Sequence, residues 1–292
     1  MKNVIFCRFL LLLSLLLFQE LTVSAATRRA LVFGLGKQQD TSWGRIHGDN
    51  DVVYVRRMLI QMGYTNIRTL TNEQATKAAM VKAFQDLADD CQRGDIVYVH
   101  YSGHGQLMTD LDGDEELKHE RGSHRQWDEA WIPYDAYMTY CDKDRGEKHL
   151  SDDEVALLLQ DIRKKIGSQG ELTVVVDACH SGDATCGPEE EEAVRGVDTR
   201  FAIPRNPDTP QPQLVKEQWR TISACKPYQL CTELKDREVG KLTYALYTLG
   251  AEAFKSDNKN LEEMLEQFMQ RHQGRIPQIP VVSGREKLKN QK

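Results

Sequence analysis

Two short runs of β-branched and aromatic residues constrain the fold of this chain more than any other feature. One, Ile96-Val97-Tyr98-Val99-His100-Tyr101, ends at Ser102-Gly103-His104-Gly105; the other, Leu172-Thr173-Val174-Val175-Val176, ends at Asp177-Ala178-Cys179-His180-Ser181-Gly182. Apolar runs of this length read as strands buried on both faces, and such strands belong to parallel sheets covered by helices. Parallel strands bring their C-terminal ends to one edge, where open α/β sheets bind ligands. A histidine and a thiol are therefore expected to face each other there, which is the minimum equipment for a cysteine nucleophile with a general base.

The rest of the chain supports that architecture. Residues 29–35 and 66–70 read as strands, 49–62 as an amphipathic helix stopping at Gly63, and 72–91 as a second helix. Residues 151–166 form a helix opening on the capping box Ser151-x-x-Glu154. A strand is expected over 219–225, helices over 241–254 and 261–271, and a last strand over 279–282. The expected class is α/β, a three-layer αβα sandwich with a central, mostly parallel sheet.

Residues 1–26 read as a signal peptide: Lys2 and Arg8, then the apolar core 9–18, then Val23-Ser24-Ala25-Ala26. The apolar core is shorter than the ~20 residues a membrane span needs. Export, to a periplasm or outside the cell, is the expectation. The net charge of −6 disfavours nucleic acid as a partner. Export permits disulfides, and Cys186 is the cysteine expected to join one if any does. Residues 27–292 then form one domain: 27–185, a linker 186–216, and 217–292. The linker carries Pro204, Pro207, Pro210 and Pro212 and reads as an extended, exposed stretch.

The two strand ends, HYSGHG and DACHSG, resemble the histidine and cysteine motifs of metacaspases, within the wider caspase-like clan. Gly48-Asp49-Asn50-Asp51-Val52, the acidic run from Asp110 to Glu116, Ser223-Ala224-Cys225-Lys226 and Gly240-Lys241-Leu242-Thr243 extend the resemblance across roughly residues 28–284. It implies a cysteine endopeptidase cutting protein substrates after Arg or Lys. Cys179 would be the nucleophile, His104 the general base, and the amides of Gly105 and Cys179 the oxyanion hole. Asp51, Asp177 and Ser102 would line the pocket for the basic side chain. A monomer is implied as well. Two rivals stay open: a clostripain- or gingipain-like peptidase of the same clan, and a non-catalytic binding module with this fold.

Bland readings exist for several of these residues. A free cysteine is often a small buried hydrophobe, but Cys179 lies past the strand and not within it. Asp51 also suits a helix N-terminus. His100 reads as structural, because its spacing to His104 lacks the helix and glutamate of a zinc motif. No cofactor is required by a thiol mechanism, yet calcium is an open alternative. The loop Asp110-Leu111-Asp112-Gly113-Asp114 fails as an EF-hand, since Glu115 stands where glycine belongs. The resemblance points instead to Asp128, Asp152 and Asp153, with Cys186 where a fourth aspartate is expected. Finally, Arg195 and Arg200 in the linker are the expected points of self-cleavage, exposed loops being the preferred sites of proteolysis.

Overall fold

The computed structural model describes residues 26–114, 127–179, 193–204, 215–226, 229–274 and 276–285. Residues 1–25 of the expected signal peptide 1–26, with Cys186 and His180, lie outside the described residues. No described helix is long and apolar enough to cross a membrane.

Six strands make the main sheet: β1 (Arg28–Gly34), β2 (Asn66–Thr71), β3 (Ile96–Ser102), β7 (Glu171–Asp177), β8 (Arg220–Ser223) and β11 (Val281–Gly284). Their order is β11-β8-β7-β3-β1-β2, all neighbours parallel except β11 with β8. Alternation along each strand feeds two cores. Ala30, Val32, Tyr98 and Val175 pack with Val55, Leu59, Leu242 and Leu265 on one face. Leu31, Phe33, Val97 and Val174 pack with Met80, Phe84, Leu159 and Ile162 on the other. The first face carries helices α1 (Gly48–Gln61), α4 (Lys241–Leu249) and α6 (Asn258–Arg271); the second carries α2 (Lys77–Asp90) and α3 (Asp152–Ile166). The three-layer expectation holds.

Local differences have local causes. The helix expected over 72–91 is split: Asn72–Gln74 is a 3₁₀ turn, with Asn72 at φ +43°, and Thr76 caps α2 by accepting from the Ala79 amide. The helix expected over 241–254 breaks at Gly250, whose φ of +57° stops α4 before the short α5 (Ala251–Lys255). Ser151 caps α3, accepting from the Glu154 amide at 3.3 Å, but the Glu154 carboxylate turns to Lys77 Nζ at 2.6 Å in place of the return contact of the expected capping box.

Unforeseen is a second, three-stranded antiparallel sheet, ordered β4-β5-β6: β4 (Gly105–Thr109), β5 (Trp127–Trp131) and β6 (Leu150–Ser151). β4 starts directly after His104. A two-stranded antiparallel ribbon pairs β9 (Glu233–Leu234) with β10 (Val239–Gly240).

Candidate active site

Strand register brings the two motifs together. β3 and β7 are neighbours, and Ser102 lies opposite Asp177 where both strands end. His104 and Cys179 each follow two residues later. Both are buried, at 2% and 1% exposure. His104 is wedged beside Trp43, ring centroids 5.2 Å apart, and its Nε2 lies 2.7 Å from the Gly44 carbonyl oxygen. A carbonyl only accepts, so Nε2 carries the proton and Nδ1 of the neutral ring is a free lone pair. No hydrogen-bond partner for Nδ1 is found among the described residues. Burial pushes the His104 pKa down to about 4 and the Cys179 thiol up to about 12. The resting pair is neutral, with a base and a protonated nucleophile.

The site is filled by the chain itself. The carbonyl oxygen of Arg195 accepts from the amides of Gly105 (3.2 Å) and Cys179 (3.1 Å), the two donors expected to form an oxyanion hole. The Arg195 amide donates to the Cys231 carbonyl at 2.9 Å, and the Glu233 amide donates to that of Ala193 at 3.2 Å. Val194 thereby pairs antiparallel with Thr232, as an added strand. Beyond the arginine, Gly196 sits against Cys179. A Cβ there would collide with the Cys179 carbonyl oxygen and Sγ, so the close approach requires glycine.

The guanidinium of Arg195 enters the pocket assigned from sequence. Arg195, Asp51, Asp177 and Ser102 are all 0% exposed. Nη1 lies 2.6 Å from Asp51 Oδ2, 2.7 Å from Ser102 Oγ and 3.6 Å from Asp177 Oδ1. Nη2 lies 2.8 Å and Nε 3.0 Å from Glu233 Oε1. Ser102 Oγ also donates to Asp51. Thr243, at the head of α4, fixes both aspartates: its hydroxyl contacts Asp177 Oδ2 at 2.7 Å and Asp51 Oδ2 at 3.0 Å, and its amide donates to Asp177 Oδ2 at 2.8 Å. His100 completes the floor, 3.3 Å from the Thr243 hydroxyl.

The sequence reading of the linker as an exposed stretch is corrected here for Arg195: its charge finds three acids, contributed by residues remote in sequence. Arg200 does remain exposed, lying over the Trp127 ring at 4.9 Å. Glu233 was missed. It sits on a two-residue strand with no pattern to mark it, held by His47, whose Nδ1 is 2.6 Å away. Burial opposes its charge, but Arg195 and His47 outweigh that and keep its pKa below the ordinary carboxylate value.

A second acidic group lies at the far end of the small sheet. Carboxylates of Asp128, Asp152 and Asp153 approach within 4.8 Å of one another. Asp110 and Asp114 join Asp128 in the same way, and Asp112 and Asp114 join Asp153. The loop that fails as an EF-hand therefore contributes to the cluster. Burial first, then Asp152, Asp110, Asp153 and Asp114, raise the Asp128 pKa to about 9. The Asp128 Oδ1 is buried with no hydrogen-bond partner among the described residues. An all-carboxylate oxygen set suits a hard cation such as calcium. Among the described residues Cys91, Cys141, Cys179, Cys225 and Cys231 are free.

Comparison with known proteins agrees with this geometry. Among relatives, metacaspase-1A of Aspergillus clavatus is 33% identical over 168 residues, 54% of this chain and 34% of its own length. Metacaspase-1B of Aspergillus oryzae is 32% identical over 169 residues, 54% and 35% of the two chains. The chain thus spans about a third of the length of these curated relatives. The crystal structure of protein GSU0716 from Geobacter sulfurreducens shares the fold, with a TM-score of 0.61 at 20% identity, covering 90% of this chain and 95% of that one. The family model for the caspase domain matches residues 27–289, so the chain belongs to the caspase-domain family, on its metacaspase-like side.

Proposed function

We propose that this chain is an exported cysteine endopeptidase that hydrolyses peptide bonds after arginine or lysine, and that its first substrate is its own Arg195–Gly196 bond. One observation carries the reading: the Arg195 carbonyl oxygen lies between the Gly105 and Cys179 amides while its guanidinium is held by Asp51, Asp177 and Glu233. Cys179 Sγ attacks the Arg195 carbonyl carbon and passes its proton to His104 Nδ1. The oxyanion is held by the two amides, donors of a kind worth ~3 kcal/mol each in a transition state. His104 then protonates the leaving Gly196 nitrogen, and water, deprotonated by His104, releases the acyl group from Cys179.

Protein substrates would add a strand against 231–233 and place a basic side chain where Arg195 now lies. The enzyme is proposed to act as a monomer, without nucleic acid and, once the leader is removed, away from the membrane. Its thiol chemistry calls for no cofactor. A calcium ion, held by Asp128, Asp152 and Asp153 with Asp110 and Asp114 at hand, would supply charge neutralisation. It would brace the sheet whose first residue is Gly105. A second reading is favoured by the burial of Cys179: the segment 193–196 is a lasting inhibitor and is never cut. Incubating the purified full chain beside Cys179→Ala, with fragment N-termini read by mass spectrometry, separates the two. Cleavage before Gly196 in the first sample only supports the proposal; an intact chain that resists a thiol-directed arginyl probe overturns it.

A further inference from the structure

The chain beyond the Arg195–Gly196 bond does not leave the surface. Gly196 bridges Gly105 in parallel, and Phe201 bridges Met108 in the same sense. The Phe201 amide donates to the Leu107 carbonyl at 2.8 Å, the Thr109 amide donates to the Phe201 carbonyl at 3.1 Å, and the Ile203 amide donates to Thr109 Oγ1 at 2.8 Å. β4 is the edge strand of its sheet, so this segment is a strand added to an open edge. Between the two bridges the contacts change character. Residues 198–200 are exposed, and Thr199 is held through its backbone carbonyl, by Gln106 Nε2 at 2.6 Å. Gln106 is oriented in turn by His149 at 3.0 Å. A backbone contact of that kind accepts any side chain.

Phe201 is different. It is 0% exposed and packs with Trp43, Met108, Ala130, Ile132 and Ala136, while the His149 ring lies 4.1 Å from its own. The wall of this pocket includes Trp43, which also packs on His104. We infer that this is a substrate pocket: the enzyme recognises a large aromatic side chain at the sixth position after the cut bond, on a strand running parallel to β4. The inference rests on the proposal that Arg195–Gly196 marks that bond. The preferred substrate is then an extended segment with a basic residue, a glycine, a residue whose side chain packs on the rim of the aromatic pocket as Val197 does, three exposed residues of which the second is held through its backbone carbonyl, and an aromatic residue. Residues 195–201 are one copy of it.

The experiment uses the full-length chain carrying Phe201→Ala, in which the chain's own segment no longer fills the pocket. Two peptides copying residues 193–203 are offered to it, one native and one with alanine in place of the phenylalanine. An arginyl amide with a fluorogenic leaving group, lacking every residue after the arginine, is assayed beside them. The native peptide should show a kcat/KM about tenfold or more above its alanine twin, chiefly through KM, as expected when a phenyl group is buried. With the unaltered chain the gap should narrow, because the tethered Phe201 competes for the pocket. Equal kcat/KM for the two peptides, with the arginyl amide turned over, overturns the pocket and leaves the proposed activity standing. Failure to cleave the arginyl amide and either peptide overturns the proposed activity itself. If Phe201→Ala does not fold, Phe201→Leu serves with the same peptides, and the same outcomes decide.

Discussion

Two buried acidic clusters lie near opposite ends of β4, and they are neutralised in opposite ways. At the Gly105 end, Asp51, Asp177 and Glu233 surround a guanidinium from the same chain, and Glu233 keeps its charge despite burial. Beyond Thr109, Asp128 is flanked by Asp110, Asp114, Asp152 and Asp153, and its carboxyl is driven up to about 9. Burial acts on both in the same direction; the difference is a cation placed by the fold in one and neutralisation by a proton in the other. Under the proposed function the first cluster is a specificity pocket occupied by its own ligand, and the second is a site for a cation from solution.

The largest effect should come from freezing the first cluster in its occupied state. Cys179→Ala and His104→Ala should each lower self-cleavage by several orders of magnitude, as loss of a nucleophile or base does. The chain should stay intact with Arg195 still in its pocket. Time courses followed by intact mass give the rate, and thermal melts show that folding survives. Cleavage before Gly196 at the unaltered rate in either variant would separate the chemistry from these residues.

Next in size is removal of the cation. Arg195→Met leaves three buried carboxylates facing one another, and breaking a buried ion pair from one side costs about 3–5 kcal/mol. Arg195→Lys restores one charge without the forked geometry, so it should recover part of the loss. Urea unfolding of both variants in a Cys179→Ala background measures this without interference from cleavage. A loss below about 1 kcal/mol for Arg195→Met would mean that the pocket readily hydrates, and that the two clusters are less different than they look.

The second cluster predicts a pH dependence with a definite sign. The Asp128 pKa is raised on folding, from an ordinary value of 3.8 to about 9. Between those values the folded state binds more protons than the unfolded one, so this group makes stability fall as pH rises. Saturating calcium should remove that slope by replacing the proton, and Asp128→Asn should remove it without calcium. Melting temperatures at pH 5, 7 and 9, with calcium and with a chelator, test both statements. An unchanged slope on adding calcium would leave the cluster as a proton-neutralised structural feature.

Much of this was legible in the sequence, and what was missed follows a pattern. Long β-branched runs marked β3 and β7, and their shared register brings the two strand ends that carry His104 and Cys179 side by side, as expected from the sequence. Ser102 and Asp177 were reachable through the motifs that end those strands, and Asp51 through the Gly48-Asp49-Asn50-Asp51-Val52 segment that opens α1. Glu233 was not, because β9 is two residues long and has no periodicity to read. Arg195 was expected to be cleaved because it was expected to be exposed, and that premise is wrong. Its proline-rich, charged surroundings read as solvent-exposed, whereas its burial depends on carboxylates from α1, β7 and β9 that no local window contains. The signal available was the step Val194-Arg195-Gly196, a basic residue followed by the one residue type that fits against Cys179.

Arg200 supplies the smallest effect and the sharpest control. It shares the linker with Arg195, carries the same charge, and was equally eligible as a cleavage point on sequence grounds. The structure separates the two by environment: Arg195 is buried among acids, while Arg200 is exposed and rests on the Trp127 ring at 4.9 Å. An exposed cation–π contact contributes about 0.5–1 kcal/mol, and the amides of Gly105 and Cys179, the proposed oxyanion donors, both donate to the Arg195 carbonyl. Arg200→Ala should therefore lower stability by no more than that and leave self-cleavage within about twofold of the unaltered rate, a change of under 0.5 kcal/mol. The new N-terminus should still be Gly196. Fragments beginning at Phe201, lost on Arg200→Ala, would show that exposure and not pocket occupancy selects the bond. The contrast between a cation supplied by the fold and one met in solution would then carry no weight in choosing the substrate.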